Sequence, residues 1–181
     1  VGEITADLRR AVTAEGADDR GGESTLGNVI ADIQLQATAE LGSQIAFMNP
    51  GGIRTDLIYA GDTTDNPENT DGVVTYEEAA VVQPFANTLV TFDITGAGIK
   101  QALEQQWQPA GQSRAFLKLG ISEGFVYTFD ATRPLGDRIT GMTLDGEPID
   151  PSATYKVTAN SFLSSGGDNF DAFGEAANHA D

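Results

Sequence analysis

Gln44-Ile45-Ala46-Phe47-Met48-Asn49-Pro50-Gly51-Gly52-Ile53-Arg54 is a short apolar run that stops at four residues which each favour a turn. Its composition predicts a buried strand running into a loop, so the loop sits at a strand end. Upstream, apolar side chains at positions 26, 29, 30, 33, 37 and 41 share one helical face. That spacing predicts a helix from about Thr25 to Leu41. A helix followed by a buried strand already points to mixed α and β structure.

Downstream, Gly61 to Gly72 contains Asp62, Asp65, Glu68 and Asp71 with no apolar side chain, the composition of a solvated, mobile excursion. Thr75-Tyr76-Glu77-Glu78 matches a capping box opening a short helix, which must stop near Gln83 because Pro84 disfavours helical geometry before it. Phe85 thus falls just past a helix end. Thr88 to Ile94 predicts a strand, and Ile99, Leu103 and Trp107 continue at helical spacing. Phe125 to Phe129, Arg138 to Leu144 and Thr154 to Ala159 predict further strands, separated by turns rich in Pro, Gly and Asp. With no internal repeat and no long linker, the 181 residues read as one domain of mixed α and β structure.

Composition removes several functions. With 27 acidic against 10 basic side chains and a net charge of −17, the surface repels phosphate backbones, which excludes a general partnership with nucleic-acid polymers. Any phosphate site must be local, and the seven arginines are the residues suited to it. One His, His179, and no Cys cannot supply the imidazole and thiolate ligands usual in catalytic metal centres, which leaves only a carboxylate site open; no metal is assigned to the acidic excursion and no cofactor to this domain. No apolar run approaches a membrane span.

Two glycine loops follow predicted strands: Asn49 to Arg54, and Asn160-Ser161-Phe162-Leu163-Ser164-Ser165-Gly166-Gly167-Asp168-Asn169-Phe170. Adjacent glycines let backbone N–H groups approach a ligand. Arg54 can bind phosphate and Asp168 can bind hydroxyls, although tight turns need the same glycines. Phe85 and Phe162 each lie beside turn residues, where an aromatic ring either stacks on a flat ligand or packs in the core. Gly96-Ala97-Gly98-Ile99-Lys100-Gln101 falls between strand and helix, but Gln101 stands where a dinucleotide fingerprint needs its third glycine. Arg20, read alone, is a salt-bridge partner of Asp18 or Asp19.

Taken in order, the segments Arg20-x-x-Glu23-Ser24-x-Leu26-Gly27-Asn28, Asn49-x-Gly51-Gly52-Ile53-Arg54, Pro84-Phe85 and Asn160-x-Phe162-Leu163-x-x-Gly166-Gly167-Asp168-x-Phe170 resemble the C-terminal domain of the 5′-nucleotidase family. The resemblance covers nearly the whole chain and implies a mixed α/β fold with the substrate-binding domain spanning residues 1–181. It implies that Phe85 and Phe162 sandwich a nucleobase, that Asp168 accepts from ribose hydroxyls and that Asn49 contacts base or nucleoside. Arg20 and Arg54 would hold phosphate, with the Gly52 backbone closing around the ligand. Family members carry a divalent metal pair and their catalytic residues in an N-terminal metallophosphoesterase domain, of which this chain shows no segment. The expectation is therefore an exported phosphate-ester hydrolase whose nucleotide-binding half is this chain, able to bind but not to hydrolyse alone, with no catalytic residue of its own. The alternative is a non-catalytic nucleoside-binding module of a multidomain surface protein. Pro50 departs from the glycine common in such loops, fixing one backbone angle and removing a donor.

Overall fold

Residues 2–181 are described by a computed structural model. In chain order the elements are β1 (Gly2–Glu3), α1 (Thr25–Ala37), β2 (Ile45–Met48), β3 (Val73–Val74), α2 (Tyr76–Val82), β4 (Leu89–Thr95), α3 (Gly96–Glu104), β5 (Gly120–Ile121), β6 (Phe125–Phe129), β7 (Ile139–Leu144), β8 (Glu147–Pro148), β9 (Thr154–Asn160), α4 (Ser161–Ser164), α5 (Asp171–Gly174) and β10 (Ala177–Ala180).

A five-stranded sheet of order β10-β4-β9-β2-β5 forms the middle of the domain. Among its described strands β2 and β9 run parallel, and the other neighbours are antiparallel. All four residues of β2 are buried because both sheet faces are covered, which explains a continuous apolar run where a half-exposed strand would alternate. Ile45 and Phe47 point into a large cluster with Phe92, Ile99, Leu103, Phe125 and Phe173. Ala46 and Met48 point the other way, against Leu26, Ile30 and Ala31 of α1. A hairpin of β6 and β7, extended by β8, flanks the first cluster. The mixed α/β fold is as the sequence implies.

Three local expectations change. Helix α1 starts where predicted, with the Ser24 hydroxyl accepting from Gly27 N–H at 2.9 Å, but stops at Ala37. The Thr38 hydroxyl meets Thr158 Oγ1 of β9 at 2.7 Å, and one 3-10 turn, Ala39–Leu41, closes at Gly42 in left-handed geometry. Trp107 lies outside α3, which ends at Glu104. The fully buried Gln106 donates back to the Leu103 carbonyl at 3.0 Å, taking a position that a continuing helix would need, and Trp107 instead bridges Phe116. The acidic excursion is exposed over residues 62–68, but Asn69 is buried and donates to Glu78 Oε1, and Gly72 at its end is buried too.

The capping box is complete: Thr75 accepts from Glu78 N–H, and Glu78 accepts from Thr75 N–H at 2.7 Å. It fixes the start of α2, whose end leads through Gln83 and Pro84 to Phe85.

Candidate functional site

Parallel pairing brings the carboxyl ends of β2 and β9 side by side, with Ile45 opposite Val157 and Ala46 opposite Thr158. Antiparallel β4 begins at the same place, Leu89 opposite Asn160. Three segments far apart in sequence therefore open at one edge: the Asn49 loop, the Phe85–Thr88 loop and the segment after Asn160. Outside the carboxyl ends of parallel strands is where α/β sheets present ligand sites.

A cleft of about 170 Å³ lies there, lined by Arg20, Asn49, Gly51, Gly52, Phe85, Asn87, Phe162 and Asp168. Six of the seven residues expected from sequence are thus brought together. Phe85 is 50% exposed and Phe162 45%, so neither ring belongs to the core. The Asn160 side chain caps α4 by accepting from Leu163 N–H at 2.9 Å, and Phe162 stands in that capped turn. Gly167 keeps Phe162 in place by lacking a side chain: a Cβ there would come within 2.5 Å of the ring and 2.6 Å of the Phe162 carbonyl. The Phe85 loop is tied to the same turn, because Ser161 N–H donates to Thr88 O at 2.9 Å and Ser161 Oγ donates to Asn87 Oδ1 at 3.2 Å.

The polar floor is a relay. Asn160 Nδ2 donates to Asn49 Oδ1 at 2.9 Å, and Asn49 Nδ2 donates to Asp168 Oδ2 at 2.9 Å. Asn49 and Asn160 are buried, and each amide is oriented by its partners. Asp168 and Asn169 both adopt left-handed backbone geometry, at φ 58° and 63°, which Asp and Asn tolerate better than other residues bearing a Cβ. Gln108 pins that bend, donating to the Asp168 carbonyl at 3.0 Å while accepting from Asn169 Nδ2 at 2.7 Å. One Asp168 carboxylate oxygen, Oδ2, is thus held by Asn49 at the cleft wall.

Arg20 reaches the cleft from a loop fixed by Lys118 N–H, which donates to the Arg20 carbonyl at 2.8 Å. Its guanidinium crowds Gly51, where a Cβ would come within 3.1 Å of Arg20 Nη1 and 3.3 Å of Asp168 Oδ2. Lys118 also pairs with Glu23 at 3.0 Å. Burial works against the Lys118 charge, but Tyr127 and Glu23 outweigh it and hold the ammonium above its ordinary value.

Arg54 is placed differently from the other six. It does not line the cleft; its guanidinium carbon lies 5.8 Å from the Phe85 ring centroid, and Nη1 donates to the Gly51 carbonyl at 3.3 Å. Asn160, Asn87 and Gln108 belong to the site although sequence reasoning assigned no role to any of them. Asn160 carried a usable signal, an Asn three residues before Leu163 at a strand-to-helix junction. Gln108 carried none, since only the fold brings it to Asp168, 60 residues away. Among the described residues no group of three or more His, Asp or Glu side chains gathers into a metal cage.

Against known proteins, residues 1–175 match the family model for the 5′-nucleotidase C-terminal domain. The cell wall protein Lmo0130 of Listeria monocytogenes is 38% identical over 164 residues, covering 88% of this chain and 19% of that protein. The trifunctional nucleotide phosphoesterase protein YfkN of Bacillus subtilis is 34% identical over 166 residues, covering 88% of this chain and 10% of that one. The crystal structure of a 5′-nucleotidase precursor from Thermus thermophilus superposes with a TM-score of 0.77 at 34% identity, over all of this chain and 33% of the other. This chain spans less than a fifth of the length of the two relatives and a third of the superposed structure.

Proposed function

This chain belongs to the 5′-nucleotidase family as its C-terminal domain, and from that premise we propose that it is the nucleoside-binding half of a hydrolase cleaving phosphate esters of nucleotides. The observation that carries the proposal is the pair of half-exposed phenylalanines, Phe85 and Phe162, both lining a cleft that also holds an oriented carboxylate. A base stacks between the rings, a contact worth about 1–3 kcal/mol per base that tolerates different bases. Asp168 accepts from the ribose hydroxyls, a role suited to a group that accepts and donates nothing. Asn49 orients Asp168 and faces the nucleoside, and the Gly52 backbone closes on it. Arg20 holds phosphate from inside the cleft, and Arg54 holds it from the rim beside Phe85.

Hydrolysis is assigned to an N-terminal metallophosphoesterase domain, whose divalent metal pair would supply polarisation of phosphate and activation of water. This domain supplies orientation, so contacts to base and ribose raise the rate of a reaction at another centre. The parent protein works outside the cytoplasm in nucleotide breakdown; the Listeria relative, named a cell wall protein, supports that placement.

Amide-shift titration of the 181-residue chain with adenosine, other nucleosides and AMP, without metal, tests the proposal. Saturable shifts at Phe85, Phe162 and Asp168 with no phosphate release are expected. Absence of shifts to millimolar ligand overturns a preformed site in this domain, and phosphate release overturns the division of labour.

A further inference from the structure

Arg20 lines a second hollow beside the nucleoside cleft, one of about 260 Å³ shared with Asp18, Asp19, Arg114 and Phe116. Within it one carboxylate oxygen serves two guanidinium groups: Asp18 Oδ2 lies 3.2 Å from Arg20 Nε and 3.3 Å from Arg114 Nη2. Asp18 Oδ1 is also 3.7 Å from Arg10 Nη1, but Arg10 has a nearer partner in Asp56 at 3.0 Å. Asp19, the other acid in the hollow, accepts from Gly21 N–H at 2.9 Å. Strong guanidinium–carboxylate pairs are two-pronged at about 2.7–2.9 Å, and neither contact to Asp18 is that short. Arg20 and Arg114 are therefore held close together by an acid that satisfies neither fully.

We propose that Arg114 joins Arg20 in seating the ligand's phosphate, in addition to the rim contact of Arg54, and that Asp18 is the internal counter-ion which the phosphate displaces. A phosphate group presents three acceptor oxygens where Asp18 offers one oxygen to both arginines, so each guanidinium gains a partner of its own. Arg114 comes from the segment between α3 and β5, 96 residues from Asp18, and lies outside every motif that marks the family in the sequence. With a side chain 41% exposed, it can turn toward a ligand without disturbing the core. Asp18 sets the strength of the seat: its negative charge competes with phosphate, so its balance with Arg20 and Arg114 adds to Arg54 in discriminating nucleoside phosphate from nucleoside. The inference rests on nucleoside binding in the adjoining cleft.

The test is calorimetry with adenosine, AMP, uridine and UMP on the wild-type chain, Arg114→Gln and Asp18→Asn. The wild type should prefer nucleotide to nucleoside. Arg114→Gln should lower that preference about tenfold, the effect of losing a charge-assisted hydrogen bond. Asp18→Asn should raise it severalfold, and both variants should hold the nucleoside within twofold of wild type. The Arg114 Nε–H NMR signal should shift with AMP and not with adenosine. An unchanged preference in Arg114→Gln, with the nucleoside still bound, overturns the seat alone. A weaker preference in Asp18→Asn overturns the counter-ion role. Failure of every nucleoside and nucleotide to bind the wild type overturns the nucleoside reading and the seat with it.

Discussion

Asn49 Nδ2 donates to Asp168 Oδ2 at 2.9 Å across 119 residues of chain, so the amide at the end of β2 holds the carboxylate after β9. Since Asn49 Oδ1 is itself held by Asn160, Asn49 acts in large part by positioning Asp168. Asp168→Ala should weaken nucleoside binding by about 1.5–3 kcal/mol, the range for hydrogen bonds to a charged group. Asn49→Ala should weaken it too, and the double variant should lose less than the sum. Isothermal titration across the four proteins checks this coupling; strict additivity would show that the two residues act independently.

Phe85→Ala and Phe162→Ala should each cost about 1–3 kcal/mol of nucleoside affinity. Their rings are half-exposed, so the thermal unfolding midpoint should move little. A variant that unfolds with unchanged affinity would remove stacking as the role of that ring.

Gly167→Ala places a Cβ within 2.5 Å of the Phe162 ring and 2.6 Å of its carbonyl. Relief requires movement of α4 and its aromatic ring. The variant should lose nucleoside affinity comparably to Phe162→Ala, and stability by about 1–3 kcal/mol, as overpacked sites do. Binding at wild-type strength would show that Phe162 does not need this backbone contact.

Arg54→Ala should weaken AMP binding more than adenosine binding if its guanidinium reaches phosphate from the rim. The cation also lies over the Phe85 ring, so part of the loss should appear with adenosine. Equal losses on both ligands would assign Arg54 to Phe85 alone.

Glu78 titrates below its ordinary value of 4.5 because the Thr75 backbone N–H donates to its carboxylate; burial opposes this, while the Thr75 hydroxyl and Asn69 add to it. A carboxyl with a depressed folded-state value contributes stability above pH 4.5 and loses it as pH falls through that lower value. Urea unfolding of Glu78→Gln should therefore show a smaller stability loss than wild type between pH 7 and pH 3. Thr75→Ala should cost about 1 kcal/mol at neutral pH by removing the helix cap. Identical acid profiles for Glu78→Gln and wild type would remove the capping box as a source of pH dependence.

Local chemistry was legible wherever neighbours in sequence decide it. The Thr75–Glu78 box, the Ser24 start of α1 and the buried β2 each follow from residues a few positions apart. Helix ends were less legible: Thr38 leaves α1 for Thr158, and Gln106 turns back on α3, through contacts that helical periodicity does not carry. Two exposed phenylalanines beside turns could not be told from core residues by spacing, because exposure is set by what the rest of the chain covers.

The sequence by itself determined the mixed α and β class, an acidity that confines any phosphate site to local arginines, and four segments whose order marks the family. Only the tertiary structure decided which of their residues meet. Parallel pairing of β2 with β9, and the antiparallel start of β4 beside them, puts three loop mouths at one sheet edge. Asn49 then reaches Asp168, Arg20 enters the cleft, Arg54 stays on its rim and Arg114 arrives beside Arg20. Hydrogen bonds and ion pairs act over about 3–4 Å, while the partners are up to 119 residues apart, so strand order is what converts one into the other.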